Sequence, residues 1–275
     1  MFDLHVHAAP DITPRRADDN DLVAAYEQAG FSGCVLKGHY ESTVGRAAAA
    51  GRGRDLRVFG GTALNQHVGG VNPAAAAACL DAGGRVVWMP TADAHTQRAA
   101  GLPSLCRQRA SLPAHSYAIP PLNWSAAEDV RDICRMIGEA DAVLATGHLS
   151  SPEVHWLATT ARQAGVRRLL LTIPSYTVPD MSATEVSALT ERGALAEITT
   201  FQLLHQRGCT PARLARFARE VGLAHVVLSS DAGQPDSPSP PDAVELLIDV
   251  LAREGLDRGE LRACASERPS ELVAP

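Results

Sequence analysis

Along this chain of 275 residues, short continuous runs of Val, Leu, Ile and Ala recur, each followed by a stretch with helical character. There are eight: FDLHVHA from Phe2, GCVLKGH from Gly33, RVFGGTALN from Arg57, RVVWMPTAD from Arg85, AVLATGHLS from Ala142, RRLLLTIPS from Arg167, ALAEITTFQ from Ala194 and HVVLSSDAG from His225. A strand with one wet face alternates apolar and polar residues, whereas continuous apolar runs fit strands buried on both faces, as in a parallel sheet. Eight strand-helix units predict a closed (β/α)8 barrel, a TIM barrel, spanning residues 1–275 as one domain.

Helix starts are marked by local chemistry. Ser125 with Glu128 and Ser182 with Glu185 have capping-box spacing, and Ser151-Pro152 and Thr210-Pro211 each offer a cap followed by proline in the first turn. The segment AREG at Ala252–Gly255 stops another helix. Most strand starts lie about 25 to 33 residues apart, the length of one βα unit, but the fourth and fifth are almost twice as far apart. The excess falls between Ala94 and Trp124, an extended loop expected to act as a substrate lid or to pack outside the barrel.

Composition narrows the partners. The formal charge of -6 provides no basic footprint for a nucleic-acid backbone, and no apolar stretch approaches the roughly 20 residues needed to span a bilayer. Asp3, His5 and His7 interrupt the place where a leader would need its apolar region, so the expected compartment is the cytoplasm. The six cysteines are scattered without a Cys-x-x-Cys pair, which points to buried thiols. Lys37 is the one lysine among 25 basic residues. An otherwise lysine-free chain that keeps one amine suggests a chemical need, because a buried lysine can lose its proton and arginine cannot.

Reactive groups of such a barrel gather where its strands end, at the C-terminal rim. The polar residues there are His5 and His7 on strand 1, Lys37 and His39 on strand 2, Asp93 after strand 4, His148 on strand 5, Glu197 on strand 7 and Asp231 on strand 8. His5 and His7 stand two apart, so both imidazoles face one side of the strand and can share an ion. Imidazole with carboxylate favours zinc, or manganese or iron, over calcium and magnesium. Asp231 at a strand-to-helix junction also fits an ordinary N-cap. Of the remaining histidines, His67 just past strand 3 is best placed for the pocket, and His115 could enter from the long loop.

DLHVHAAPD, the GHLS that ends strand 5, the SSDAG that ends strand 8, and ASERPSELV near the C-terminus resemble the amidohydrolase superfamily, within it a little-characterised bacterial group. That resemblance spans almost the whole chain. It implies His5, His7, His148 and Asp231 as metal ligands, with Asp231 also a general base toward an activated water. It further implies a small-molecule substrate and, for assembly, a homodimer.

Strand 6 departs from the pattern. Where the superfamily places a second histidine, this chain reads LLLTIP, with Ile173. A mononuclear site is therefore expected, with Lys37 and His39 orienting an anionic substrate or protonating a leaving group, and Glu197, Asp93 and His67 as substrate-binding candidates. His39 is similar to the histidine that closes strand 2 in PHP-type phosphoesterases, although Ala232-Gly233 follows Asp231 where those carry another histidine. Four readings stay open: hydrolysis of an amide or lactone, decarboxylation or another lyase reaction, PHP-like phosphoester hydrolysis, and a non-catalytic ligand-binding barrel.

Overall fold

The computed structural model describes residues 1–102 and 114–275. Eight parallel strands pair in sequence order: Phe2–Val6 (β1), Gly33–Leu36 (β2), Arg57–Ala63 (β3), Val86–Trp88 (β4), Val143–Ala145 (β5), Arg168–Leu171 (β6), Leu195–Thr199 (β7) and Val226–Ser229 (β8). Each falls inside one of the eight apolar runs. The barrel closes where Asp231 N donates to His5 O and His7 N donates to Ala232 O.

Helices Asp19–Gln28 (α1), Val44–Ala50 (α2), Pro73–Asp81 (α3), His95–Ala99 (α4), Ala127–Glu139 (α5), Ser151–Gln163 (α6), Ala183–Thr190 (α7), Thr200–His205 (α8), Pro211–Val221 (α9) and Pro240–Arg253 (α10) follow the strands. Arg258–Cys264 (α11) and Glu267–Leu272 (α12) come after the last. No helix among the described residues is long and apolar enough to cross a membrane.

Two apolar clusters show which way each strand residue points. The interior one holds Phe2, Leu4, Val35, Ala63, Trp88 and Leu170, and Leu272 and Val273 of the C-terminal segment pack into it. The outer one joins Val6, Cys34, Leu36 and Val87 to the surrounding helices. Leu4 and Val6 thus lie on opposite sides of β1, although residues two apart on a regular strand share a side. The register explains this: Asp3 pairs with Cys34 but Val6 with Leu36, so three steps on β1 oppose two on β2, a β-bulge. The extra residue lets Phe2 and Leu4 fill the barrel while the chain beyond them re-aims at its mouth.

The capping expectations are met at Ser182 and Thr210 and shift elsewhere. Ser182 and Glu185 form the capping box of α7, and the Thr210 hydroxyl accepts from Arg213 N. At α6 the cap is Ser150, not Ser151, because Glu153 bonds both its amide and its hydroxyl, which leaves Ser151 and Pro152 inside the first turn. Ser125 caps nothing: Asn123 accepts from Ser125 N and starts a short 3-10 turn that runs into α5. Of the long loop, residues 103–113 lie outside the described part. Its flanks are fastened to α6, where the buried Glu153 carboxylate bonds His95 Nε2 at 2.9 Å and accepts from Ile119 N at 2.8 Å.

Candidate metal centre and cavity

The loops beyond the strand ends enclose a cavity of about 250 Å³ lined by His7, Lys37, His39, His148, Ile173 and Asp231, with Thr13, Pro14, Arg15, Ala92, Gln97, Tyr176, Phe201 and Gln234. At one side, ligand atoms of His5, His7 and Asp231 lie within 4.8 Å of one another, and all three residues are buried. Asp231 Oδ1 is 3.0 Å from His5 Nε2 and 3.2 Å from His7 Nε2. These spacings are close to the roughly 3.4 Å between neighbouring ligands of a tetrahedral ion with bonds of about 2.1 Å.

The imidazoles are aimed from behind. His7 Nδ1 donates to Lys37 O at 2.9 Å, and His5 Nδ1 lies 3.2 Å from Glu197 Oε1. A carbonyl and a carboxylate only accept, so each Nδ1 carries a hydrogen and each Nε2 faces Asp231, donating a proton to it in the metal-free protein where the ring is protonated and free to offer a lone pair to a cation that takes the proton's place. Lys37 Nζ adds a fourth group, 2.8 Å from His5 Nε2, with the Trp88 ring 5.3 Å beneath it. His5 Nε2 has one bonding direction and cannot serve Lys37 and Asp231 together. A cation between the imidazoles and the carboxylate resolves that conflict, so the donor set fits a divalent first-row metal.

Electrostatics point the same way. Burial works to lower the His5 pKa, but Asp231 and Glu197 outweigh it and Lys37, raising it to about 9. Burial would raise Asp231, yet the His5 and His7 imidazoles hold its carboxyl well below the usual range. Burial drives His7 and His39 well below the ordinary histidine value and His148 down to about 3. Lys37 is lowered by burial, against the pull of Asp231 and Glu197. Among the imidazoles of this pocket, His5 is therefore the one kept charged against Asp231, while His7, His39 and His148 stay neutral and able to coordinate.

The remaining sequence candidates divide. His39 lines the cavity with Nδ1 3.0 Å from Thr91 Oγ1, and its ring stacks on His7 at 4.8 Å. His148 lines the same cavity and holds Gln97 Oε1 at 3.1 Å through Nδ1, outside the three-residue cluster. Glu197 stands behind His5 with its Oε2 buried and, among the described residues, unpartnered. Asp93 and His67, expected to touch substrate, are not in the cavity lining: Asp93 is buried and accepts from Gln66 N at 2.8 Å, and His67 is exposed with its ring against Tyr40. His115 is exposed, its amide on Gln66 Oε1. Asp231 is no N-cap, since the next helix begins only at Pro240.

Two further sets of residues escape a reading confined to strand ends. Asn65 beyond β3 donates to His39 O and Thr91 Oγ1 and accepts from Thr91 N and Asp93 N, so it fixes the rim between strands 2 and 4. Thr13 and Arg15 enter the cavity from the loop after β1, and a cation eight residues past a His-x-His pair was the available signal.

Comparison with solved structures finds the same fold at low identity. An amidohydrolase from Pseudomonas aeruginosa superposes with TM-score 0.65 at 11% identity, covering 99% of this chain and 94% of that one. A TatD homologue from Escherichia coli gives 0.57 at 14% over 100% and 98%, and a lactonase from Listeria monocytogenes 0.59 at 11% over 98% and 94%. No curated protein matches the sequence. The model of a protein family described as a family of unknown function, DUF6282, matches residues 1–197, and the chain belongs to that family.

Proposed function

We propose that this member of the family is a metal-dependent hydrolase of the amidohydrolase type, acting on an amide, lactone or related small molecule at a mononuclear site. One observation carries the reading: the buried convergence of His5 Nε2, His7 Nε2 and Asp231 Oδ1, with both Nδ1 atoms already committed. His5, His7 and Asp231 would hold the metal, and zinc suits the set best, with manganese and iron next. Bound there, a divalent ion would supply Lewis acidity and lower the pKa of water to about 7.

The chain's own residues do the rest. Asp231, held anionic beside two imidazoles, accepts a proton from the attacking water at Oδ1 or Oδ2 and passes it on. Glu197 and the Lys37 carbonyl keep the imidazoles in one tautomer. Lys37 and His39, side by side at the β2 end of the cavity, orient the scissile group, and the Lys37 ammonium delivers a proton to the leaving atom while the neutral His39 positions it. Ile173 favours a single metal, because an apolar side chain lines the wall where a second histidine would stand.

The same observation keeps decarboxylation as the second reading. A site without the strand 6 histidine has one fewer proton carrier, and loss of carbon dioxide needs no water to be deprotonated, only one proton, from Lys37 or solvent, for the carbanion left when the C–C bond breaks. The test is to incubate metal-loaded protein with panels of lactones, amides, phosphoesters and carboxylic acids and to follow product mass. Gain of water by wild type, lost in Asp231→Asn, is expected; loss of 44 Da would select the second reading. No turnover on any panel, with less than about 0.1 metal per chain and no thermal stabilisation by zinc, would overturn both.

A further inference from the structure

The loop that follows β1 brings a second constellation to the cavity, apart from the candidate metal ligands. The Arg15 side chain is only 5% exposed, yet among the described residues its one hydrogen bond runs from Nε to Asp11 Oδ2 at 2.6 Å. The Asp11 side chain, likewise 5% exposed, accepts with its other oxygen from the amides of Ile12 and Thr13, so the turn and the guanidinium are fixed as one unit. The two terminal nitrogens of Arg15 are left over, and Arg15 lines the cavity. Beside it, Thr13 Oγ1 is buried with no partner among the described residues, and Thr13 lines the same wall.

Burying a guanidinium side chain that uses one donor of five is costly, and a buried hydroxyl without a bond adds a smaller penalty. Both debts are settled by one ligand. A guanidinium fork matches the two oxygens of a planar oxyanion, and a hydroxyl can add a third bond. The field of Arg15 already reaches the pocket, where it works to lower the pKa values of His7, Lys37 and His39. The wall supplied by the loop after β6 and by α8 is apolar, made by Ile173, Tyr176 and Phe201.

We propose that Arg15 and Thr13 form the recognition site for a carboxylate carried by the substrate, whose apolar body lies against Ile173, Tyr176 and Phe201. One fork and one hydroxyl match the donor demand of a carboxylate better than that of a phosphate dianion, which takes more donors and more charge. The substrate class is thus a small, partly apolar acid that carries its labile bond elsewhere, and this rests on the metal-site reading above only for where that bond sits.

Binding tests the site without turnover. Zinc-loaded protein is titrated calorimetrically with acetate, phenylacetate, 3-phenylpropionate, the neutral phenylacetamide and inorganic phosphate. Phenylacetate or 3-phenylpropionate should bind, acetate more weakly, and phenylacetamide at least about tenfold more weakly. Arg15→Lys, which keeps the charge and loses the fork, should weaken the acids about tenfold, and Thr13→Val about threefold, with zinc content unchanged in both. Arg15→Gln should abolish acid binding, and the two milder variants carry the test if it fails to fold. Acid affinity equal in wild type and Arg15→Lys, phosphate binding tighter than either aryl acid, or no acid bound up to about 10 mM would each overturn the proposal. Acid binding that ignores Arg15 and vanishes when zinc is stripped would place the carboxylate on the metal instead. Loss of zinc binding with acid binding intact would strike the metal reading alone.

Discussion

Two sides of one cavity follow opposite chemistry on nearly the same backbone. On the β8–β1 side Asp231 has φ +48°, and on the β6 side Ile173 has φ +36°. Left-handed backbone costs aspartate little, because its short polar side chain tolerates the region, but a β-branched residue there is strained. Asp231 presents an oxygen to two imidazoles; Ile173 presents an apolar surface that packs with Tyr176 and Val178. On the proposals above, the contrast separates two jobs: one side would hold a cation, the other the body of a substrate.

The sharpest way to break that comparison is to remove a nitrogen from each side. His7→Ala should reduce metal to background in protein purified without chelator, because it removes one of three converging ligands and leaves Asp231 facing His5 alone. His148→Ala should keep metal with no more than about tenfold lower affinity, the scale of an outer contact. Elemental analysis with competitive zinc titration measures both, and equal losses would make His148 a fourth ligand and erase the asymmetry.

Next in size is the pH dependence of the metal-free protein. His5 is raised to about 9, so its contribution is fully present below its unfolded value of 6.5 and is lost as pH rises through about 9. The loss amounts to about 3 kcal/mol. His148, held near 3, works in the opposite sense: stability is present above 6.5 and falls as pH drops toward 3, and the depressed His7 and His39 add to that slope. Urea denaturation should therefore find the metal-free maximum near pH 6.5, and zinc should remove the alkaline decline by replacing the proton at His5. Metal-free stability that holds steady up to pH 9 would contradict the imidazolium-carboxylate pair.

Glu197→Gln reaches the same side more gently. The amide can still accept from His5 Nδ1 at the 3.2 Å contact but brings no charge, so metal affinity should fall about ten- to a hundredfold while the fold is kept. An unchanged zinc constant would reduce Glu197 to a packing residue.

How far these residues were legible follows from how each one works. The eight strands could be read because burial on both faces demands unbroken apolar runs, and His5, His7 and Asp231 because strand ends converge in any barrel. Register and loop geometry hid the rest. The bulge between Asp3 and Val6 leaves no mark in a pattern of apolar residues, since Leu4 and Val6 are equally apolar but face opposite ways. Thr13 and Arg15 depend on a turn held by Asp11, and polar loop residues look alike until that turn is folded. Asp93 and His67 stand after strands as the others do, yet local hydrogen bonds and ring contacts turn them elsewhere.

The smallest expected effect tests the backbone itself. At an ordinary buried site glycine is less stable than alanine by roughly 0.5 to 1 kcal/mol, because glycine has more freedom to lose on folding. At position 173 the order should invert. Both substitutions empty the same space beside Tyr176 and Val178, so the lost packing nearly cancels between them, and what remains is the price of φ +36° for a residue with a Cβ. Ile173→Gly should therefore be more stable than Ile173→Ala by about 1 kcal/mol, read as the difference in unfolding free energy at matched m-values. If alanine proved the more stable, the chain would be leaving the left-handed region once isoleucine is gone, and packing of that side chain, rather than the turn after β6, would be what sets the backbone on the apolar side of the cavity.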